Sequence, residues 1–175
     1  MHYREVQIYL TRNLCSIMNQ NYRTRDDPRI VGTYDERLAF LCIARRVQRA
    51  LSKLHYDLDF DHQSFEHITL NFLRERRGKN PLWGQCSYSH SNPHYKTKHQ
   101  NRHGIHRISL YRPLLKESLV EAIRTVHHEF VHAIVKDIHE PHNAEFLEHE
   151  GRIEPSIGQI QREIECDFNA LGILL

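Results

Sequence analysis

Apolar residues recur at helical spacing near both ends of the chain and alternate with polar residues in its middle. Positions that return every three or four residues predict amphipathic helices over about residues 3–19 and 34–54. Alternating or β-branched residues then predict three short strands, HITLNFLRE (67–75), WGQCSYSH (83–90) and GIHRISLYRPLL (104–115). The pattern therefore indicates an α+β fold in which a small three-stranded antiparallel sheet packs on helices.

Helical periodicity returns at Ser118, where SLVE (118–121) has the Ser-x-x-Glu form of a capping box. A shorter helix is predicted within HNAEFLEHEGR (142–152), with Gly151 as its stop. A last amphipathic helix is predicted over about residues 155–171. The helix that starts at Ser118 has the clearest apolar stripe, made of Leu119, Ile123, Val126, Phe130 and Ile134.

A length of 175 residues, 39% of them hydrophobic, fits one domain. We therefore predict a single domain over residues 1–175, with amino-terminal helices in 1–58 and the sheet and remaining helices in 60–175. No apolar run reaches the roughly 18 residues that span a bilayer, and the polar start lacks the apolar centre of a signal peptide. The four cysteines are scattered without a CxxC pair, which favours reduced thiols. These features predict an intracellular protein, cytoplasmic or nuclear, that does not enter a membrane.

Basic and acidic residues are unevenly divided, although the formal net charge is only +2. Residues 1–110 hold 18 Lys and Arg against 10 Asp and Glu, whereas residues 111–175 hold 6 against 12. This asymmetry favours one surface that attracts a polyanion and another with clustered carboxylates.

The segment from residue 74 to 107 is basic and contains aromatic residues. Basic groups neutralise phosphates and exposed rings stack on unpaired bases, so this composition is typical of a surface for single-stranded nucleic acid. A solvated loop with its tryptophan in the core explains the composition equally well. The candidate nucleic-acid-binding residues are Arg74, Arg76, Arg77, Lys79, Trp83, Lys96, Lys98 and Arg102.

Six histidines and six carboxylates are concentrated in TVHHEFVHAIVKDIHEPHNAEFLEHE (125–150), which includes the HExxH pattern HEFVH (128–132). Residues four apart lie side by side on a helix, so His128 and His132 can bind one metal ion. Glu129 can lie beside a water on that ion and act as general base in an attack on a carbonyl. The spacing thus predicts two metal ligands and a base.

A catalytic zinc has three protein ligands and one open position, so a third donor is expected after the second histidine. His139 is one position off the metzincin spacing, and the glycine of that motif is missing. Glu145 can alternatively accept a hydrogen bond from a ligand histidine, and His127 is expected to have no metal role. The candidates that spacing leaves open are His139, His142, Glu145 and Glu148.

Four motifs between about residues 60 and 150 occur in the order typical of one known family. WGQCSYSH, GIHRISLYRPLL, HHEFVHAIV and PHNAEF resemble the Gly-x-Cys strand, the following strand, the HExxH helix and the later His-x-x-Glu-Phe segment of the SprT-like metalloproteases, the family that contains Spartan. Asn143 stands where that family usually has a glycine.

The resemblance implies a zincin-like fold and a zinc-dependent endopeptidase that cleaves DNA-bound or DNA-crosslinked proteins, with single-stranded or distorted DNA as a partner. It assigns the role of catalytic base to Glu129. Two alternatives stay open: an HExxH peptidase that acts on free peptides, and a DNA-binding module whose zinc is structural. The zinc ligands that the resemblance implies are His128, His132 and His142.

Overall fold

The computed structural model describes residues 32–58, 69–73, 82–89, 105–135 and 142–175, so the helix predicted over residues 3–19 lies outside the described residues. The expected α+β class is confirmed. The described elements are, in chain order, helix α1 (Tyr34–Leu54), strands β1 (Thr69–Phe72), β2 (Gly84–Ser89) and β3 (Ile105–Leu110), helices α2 (Leu114–Glu117), α3 (Leu119–Val135) and α4 (Ala144–Gly151), a 3-10 turn (Glu154–Ser156) and helix α5 (Ile157–Leu171).

Helix α1 begins at a complete capping box. The Thr33 hydroxyl accepts a hydrogen bond from the Glu36 N–H at 3.1 Å, and the Glu36 carboxylate accepts one from the Thr33 N–H at 2.7 Å. Both donors would otherwise lack an intrahelical partner, so the pair fixes the start of the helix. The helix occupies the range that its apolar period predicts.

The three strands form a mixed sheet, and the expectation of a purely antiparallel sheet is wrong. The strand order is β1-β3-β2, with β1 parallel to β3 and β2 antiparallel to β3. Consecutive strands do reverse direction, as in an antiparallel sheet. However, β3 lies between β1 and β2, and this insertion makes β1 and β3 parallel neighbours.

Helix α3 lies against β2 and β3 on one side and against α1 and α5 on another. Its predicted stripe is buried at Ile123, Val126, Phe130 and Ile134. The Ser118 hydroxyl accepts a hydrogen bond from the Glu121 N–H at 3.2 Å, which is half of the predicted capping box. The apolar face of α3 thus belongs to the main core, and the opposite face of the helix lies toward α4.

The two closing helices are confirmed with small shifts in their bounds. Helix α4 ends at Gly151, as its sequence predicts, and α5 begins at Ile157 after the 3-10 turn. Within the described residues, no helix combines the length and the apolar character that crossing a membrane requires.

Candidate metal centre

Two of the predicted ligands lie one turn apart on α3. The Nε2 atoms of His128 and His132 are 3.1 Å apart, and their rings meet nearly edge to face. The i, i+4 spacing of a helix places both imidazoles on one face, as the sequence predicts.

The third imidazole comes from the residue just before the N-cap of α4. His142 has a φ of 60°, and its Nε2 lies 3.3 Å from Nε2 of His128. Asn143 follows in an extended conformation, and its side chain accepts a hydrogen bond from the Phe146 N–H at 2.8 Å. The left-handed residue and the N-cap together turn the chain into α4 and direct His142 toward α3.

These three histidines, which we call the histidine cluster, can hold a metal ion. Their donor atoms lie within 4.8 Å of one another. Two of the other candidates, Glu145 and Glu148, are exposed and lie outside the cluster. His139 lies outside the described residues.

Phe146 supports all three rings of the histidine cluster. Its side chain is fully buried, and its ring centroid lies 5.0 Å from that of His128, 4.4 Å from that of His132 and 4.9 Å from that of His142. An apolar ring packed against the imidazoles restricts their rotamers and limits solvent access to the site.

Glu129 is buried beside the first residue of the edge strand β2. It is 4% exposed, and a Cβ at Gly84 would overlap its Oε1 atom and lie 2.6 Å from the Thr125 side chain. The absence of a side chain at Gly84 therefore provides the space that the Glu129 carboxylate occupies. The carboxylate of Glu129, the expected base, thus lies where α3 meets the edge strand β2.

A carboxylate that the sequence analysis missed contacts the histidine cluster. The Nδ1 atom of His128 lies 2.5 Å from Oε1 of Glu150, whereas Glu145, the predicted hydrogen-bond acceptor, is exposed. Burial lowers the pKa of His128, and the Glu150 carboxylate opposes that shift. Spacing contained the signal, because Glu150 follows Phe146 by four residues and so lies on the same face of α4.

A second group of histidines lies in the core behind the cluster. His55 Nδ1 is 3.0 Å from His149 Nδ1, and His55 Nε2 is 3.0 Å from His127 Nε2. All three rings are buried, and burial lowers the pKa of His55 to about 4 and that of His127 to about 3. Because His55 uses a different nitrogen for each neighbour, the three form a chain of hydrogen bonds that does not converge on one point. We call them the buried histidine chain.

Among the candidate nucleic-acid-binding residues, Trp83 lies within the described part of the structure. Its side chain is 48% exposed, and its ring meets the ring of Tyr111 edge-on at 5.9 Å. This exposure does not fit the alternative in which Trp83 belongs to the core. The candidates outside the described residues are Arg74, Arg76, Arg77, Lys79, Lys96, Lys98 and Arg102.

Comparison with known proteins identified no relative of this chain. No family model, no curated protein and no solved structure matches the chain. A functional assignment therefore depends on the geometry of the histidine cluster and on the sequence motifs.

Proposed function

We propose that the protein is a zinc-dependent endopeptidase of the SprT-like type, with a zincin-like fold, that cleaves proteins bound or crosslinked to DNA. The observation that carries the proposal is the convergence of three imidazole Nε2 atoms, two of them from the helix that also contains the buried Glu129. The order of motifs in the sequence supports the same class of enzyme.

The donor set fits zinc. Tetrahedral zinc binds histidine nitrogen at about 2.0–2.1 Å, which places ligand nitrogens about 3.3 Å apart. The Nε2 atom of His128 lies 3.1 Å from that of His132 and 3.3 Å from that of His142. Three protein donors are typical of catalytic zinc, whereas structural sites usually have four. The cluster that the described residues form has three, which favours catalysis over a structural role.

In the proposed reaction, His128, His132 and His142 would hold the ion and Glu129 would move the proton. Bound zinc polarises a carbonyl and lowers the pKa of a water. Glu129 would take a proton from the attacking water and pass it to the leaving amine, so the peptide bond is hydrolysed without a covalent intermediate on the protein. Burial beside Gly84 would hold its carboxylate in place for both transfers.

The test of this reaction compares zinc content and cleavage in the same preparations. Wild-type protein is expected to contain one zinc and to lose activity with a chelator, and H128A and H132A are expected to purify nearly metal-free. E129Q is expected to keep its zinc and to lose about 10²- to 10⁴-fold in cleavage rate. E121Q changes the same charge on an exposed part of α3 and is expected to cleave like wild type. Full zinc occupancy in H128A and H132A, or unchanged cleavage by zinc-loaded E129Q, would refute the proposal.

The DNA part of the proposal is tested separately with a DNA-binding protein as substrate. Cleavage is expected to rise when single-stranded DNA is added, and DNA affinity is expected to fall steeply with salt. Reversing Arg76 and Arg77 to Glu is expected to weaken binding to all sequences alike while the zinc stays bound. Equal cleavage with and without DNA would favour a peptidase that acts on free proteins.

A further inference from the structure

His128 presents its two ring nitrogens to different partners. Its Nε2 faces the other members of the histidine cluster, and its Nδ1 lies 2.5 Å from Oε1 of Glu150. A neutral imidazole carries one proton, and an ionised carboxylate only accepts hydrogen bonds. The proton therefore belongs on Nδ1, and Nε2 keeps the lone pair that a metal requires.

Glu150 is held against His128 by the packing of α4. Asn143 caps the helix, Phe146 lies beneath the histidine cluster, and Glu150 follows one turn later on the same face. A carboxylate on such a packed element costs less conformational entropy to hold in place than one on a free surface side chain.

The buried histidine chain ties the same two helices together next to this contact. His149, which precedes Glu150, is hydrogen-bonded to His55, and His55 is hydrogen-bonded to His127, which precedes His128. The buried ring of His55 thus connects the residues that immediately precede Glu150 and His128. This link restricts how far α4 can move relative to α3, and so preserves the contact between Glu150 and His128.

From this geometry we infer that Glu150 is a positioning residue that selects the metal-binding tautomer of His128, orients its ring and increases the affinity of the histidine cluster for its metal. The inference rests on the proposed metal-binding function and adds Glu150, which is not a ligand, to the three ligand histidines. Carboxylates that accept the second N–H of a ligand histidine typically contribute 10- to 100-fold to metal affinity.

The experiment measures the zinc dissociation constant of the purified full chain by competition with a chromophoric chelator. E150A is expected to bind zinc about 10- to 100-fold more weakly than wild type. E150Q keeps an acceptor oxygen but loses the charge, and is expected to fall between the two. The matched controls are E145A and E145Q, which change the same charge at an exposed position of the same helix and are expected to bind zinc like wild type.

A spectroscopic readout separates positioning from a general loss of stability. In the zinc-loaded wild type, the His128 Nδ1–H proton is expected to give a downfield NMR signal that persists in water, because the carboxylate holds it. The signal should move upfield in E150Q, vanish in E150A and persist in E145Q. Thermal unfolding of the zinc-free variants shows whether the substitutions change the stability of the fold.

The outcomes distinguish this inference from the proposed function. If wild type binds zinc and H128A does not, but E150A binds as tightly as wild type, Glu150 has no positioning role and the zinc site still stands. Equal weakening in the Glu150 and Glu145 variants would reduce the effect to net charge and would also overturn the inference. If wild type does not bind zinc, the proposed function itself fails.

Discussion

At the scale of single residues, His142 is the cluster member with the most constrained backbone. A φ of 60° places it in the left-handed region, which costs an L-residue roughly 1–2 kcal/mol. Histidine is one of the residue types enriched there, and such conformations persist where the surroundings hold them. The N-cap at Asn143 and the ring of Phe146 supply those surroundings.

Exchanging His142 or His139 for alanine tests which residue completes the histidine cluster. H142A is expected to purify with little zinc, because it removes one of three converging donors. H139A is expected to keep the full amount, and metal analysis of both proteins gives the answer. If H139A were metal-free and H142A contained zinc, His139 would be the third ligand, and the resemblance to the SprT-like motif would not extend beyond α3.

Spacing and chain position account for how far each residue's role was predictable. His128 and His132 lie on one helix, where a period of 3.6 residues fixes their relation. His142 follows a break in the helical pattern, so no period relates it to His132, and only the resemblance to the family motif indicates it. Glu150 again lies on a helix, four residues from Phe146, but its contact with His128 depends on which face of α4 meets the cluster, which is a matter of tertiary packing.

At the scale of elements, helix bounds followed from sequence better than sheet order did. Helices α1 and α3 are specified by local apolar periods and by caps at Thr33 and Ser118. The order β1-β3-β2 depends on which strand pairs with which across the chain, and alternation within a strand contains no such information. This order leaves β2 at the edge, where its first residue reaches Glu129.

Adding one methyl group at Gly84 tests this junction between sheet and helix. G84A is expected to retain zinc and lose about 10²-fold in cleavage rate, since a displacement of about 1 Å at a reacting group has an effect of that size. G158A is the matched control, because the nearest atom to its added Cβ is an Arg162 guanidinium nitrogen at 3.6 Å. Wild-type activity in G84A would mean that Glu129 does not depend on this space.

At the scale of the whole molecule, the buried histidine chain connects α1 with α3 and α4, which lie more than 60 residues later in the sequence. His55 follows α1, His127 lies on α3 and His149 lies on α4. Nothing in the composition distinguishes these rings from surface histidines. Their burial results from tertiary packing, which a periodicity analysis of single segments does not include.

Burial of His55 predicts that acid destabilises the fold. Its pKa is lowered to about 4, first by burial and then by electrostatic repulsion from its neighbours His149 and Arg152, while Asp57 opposes the shift. In the unfolded chain the value returns to about 6.5. Between these two pH values the unfolded state binds more protons than the folded state. The contribution of His55 to the free energy of unfolding is therefore fully present above about pH 6.5 and is lost as the pH falls toward 4.

H55Q isolates this effect, because glutamine donates and accepts hydrogen bonds but does not titrate in this range. Denaturant unfolding of zinc-free wild type and H55Q is measured from pH 7 to pH 4, and H55Q is expected to be less stable at pH 7. The difference in the free energy of unfolding should then shrink, by up to about 3 kcal/mol, since each pKa unit corresponds to about 1.4 kcal/mol. Zinc-free protein is required because protonation of the histidine cluster would otherwise release metal over the same range. Parallel curves for the two proteins would show that His55 titrates normally and that the buried histidine chain does not link the helices through neutral rings.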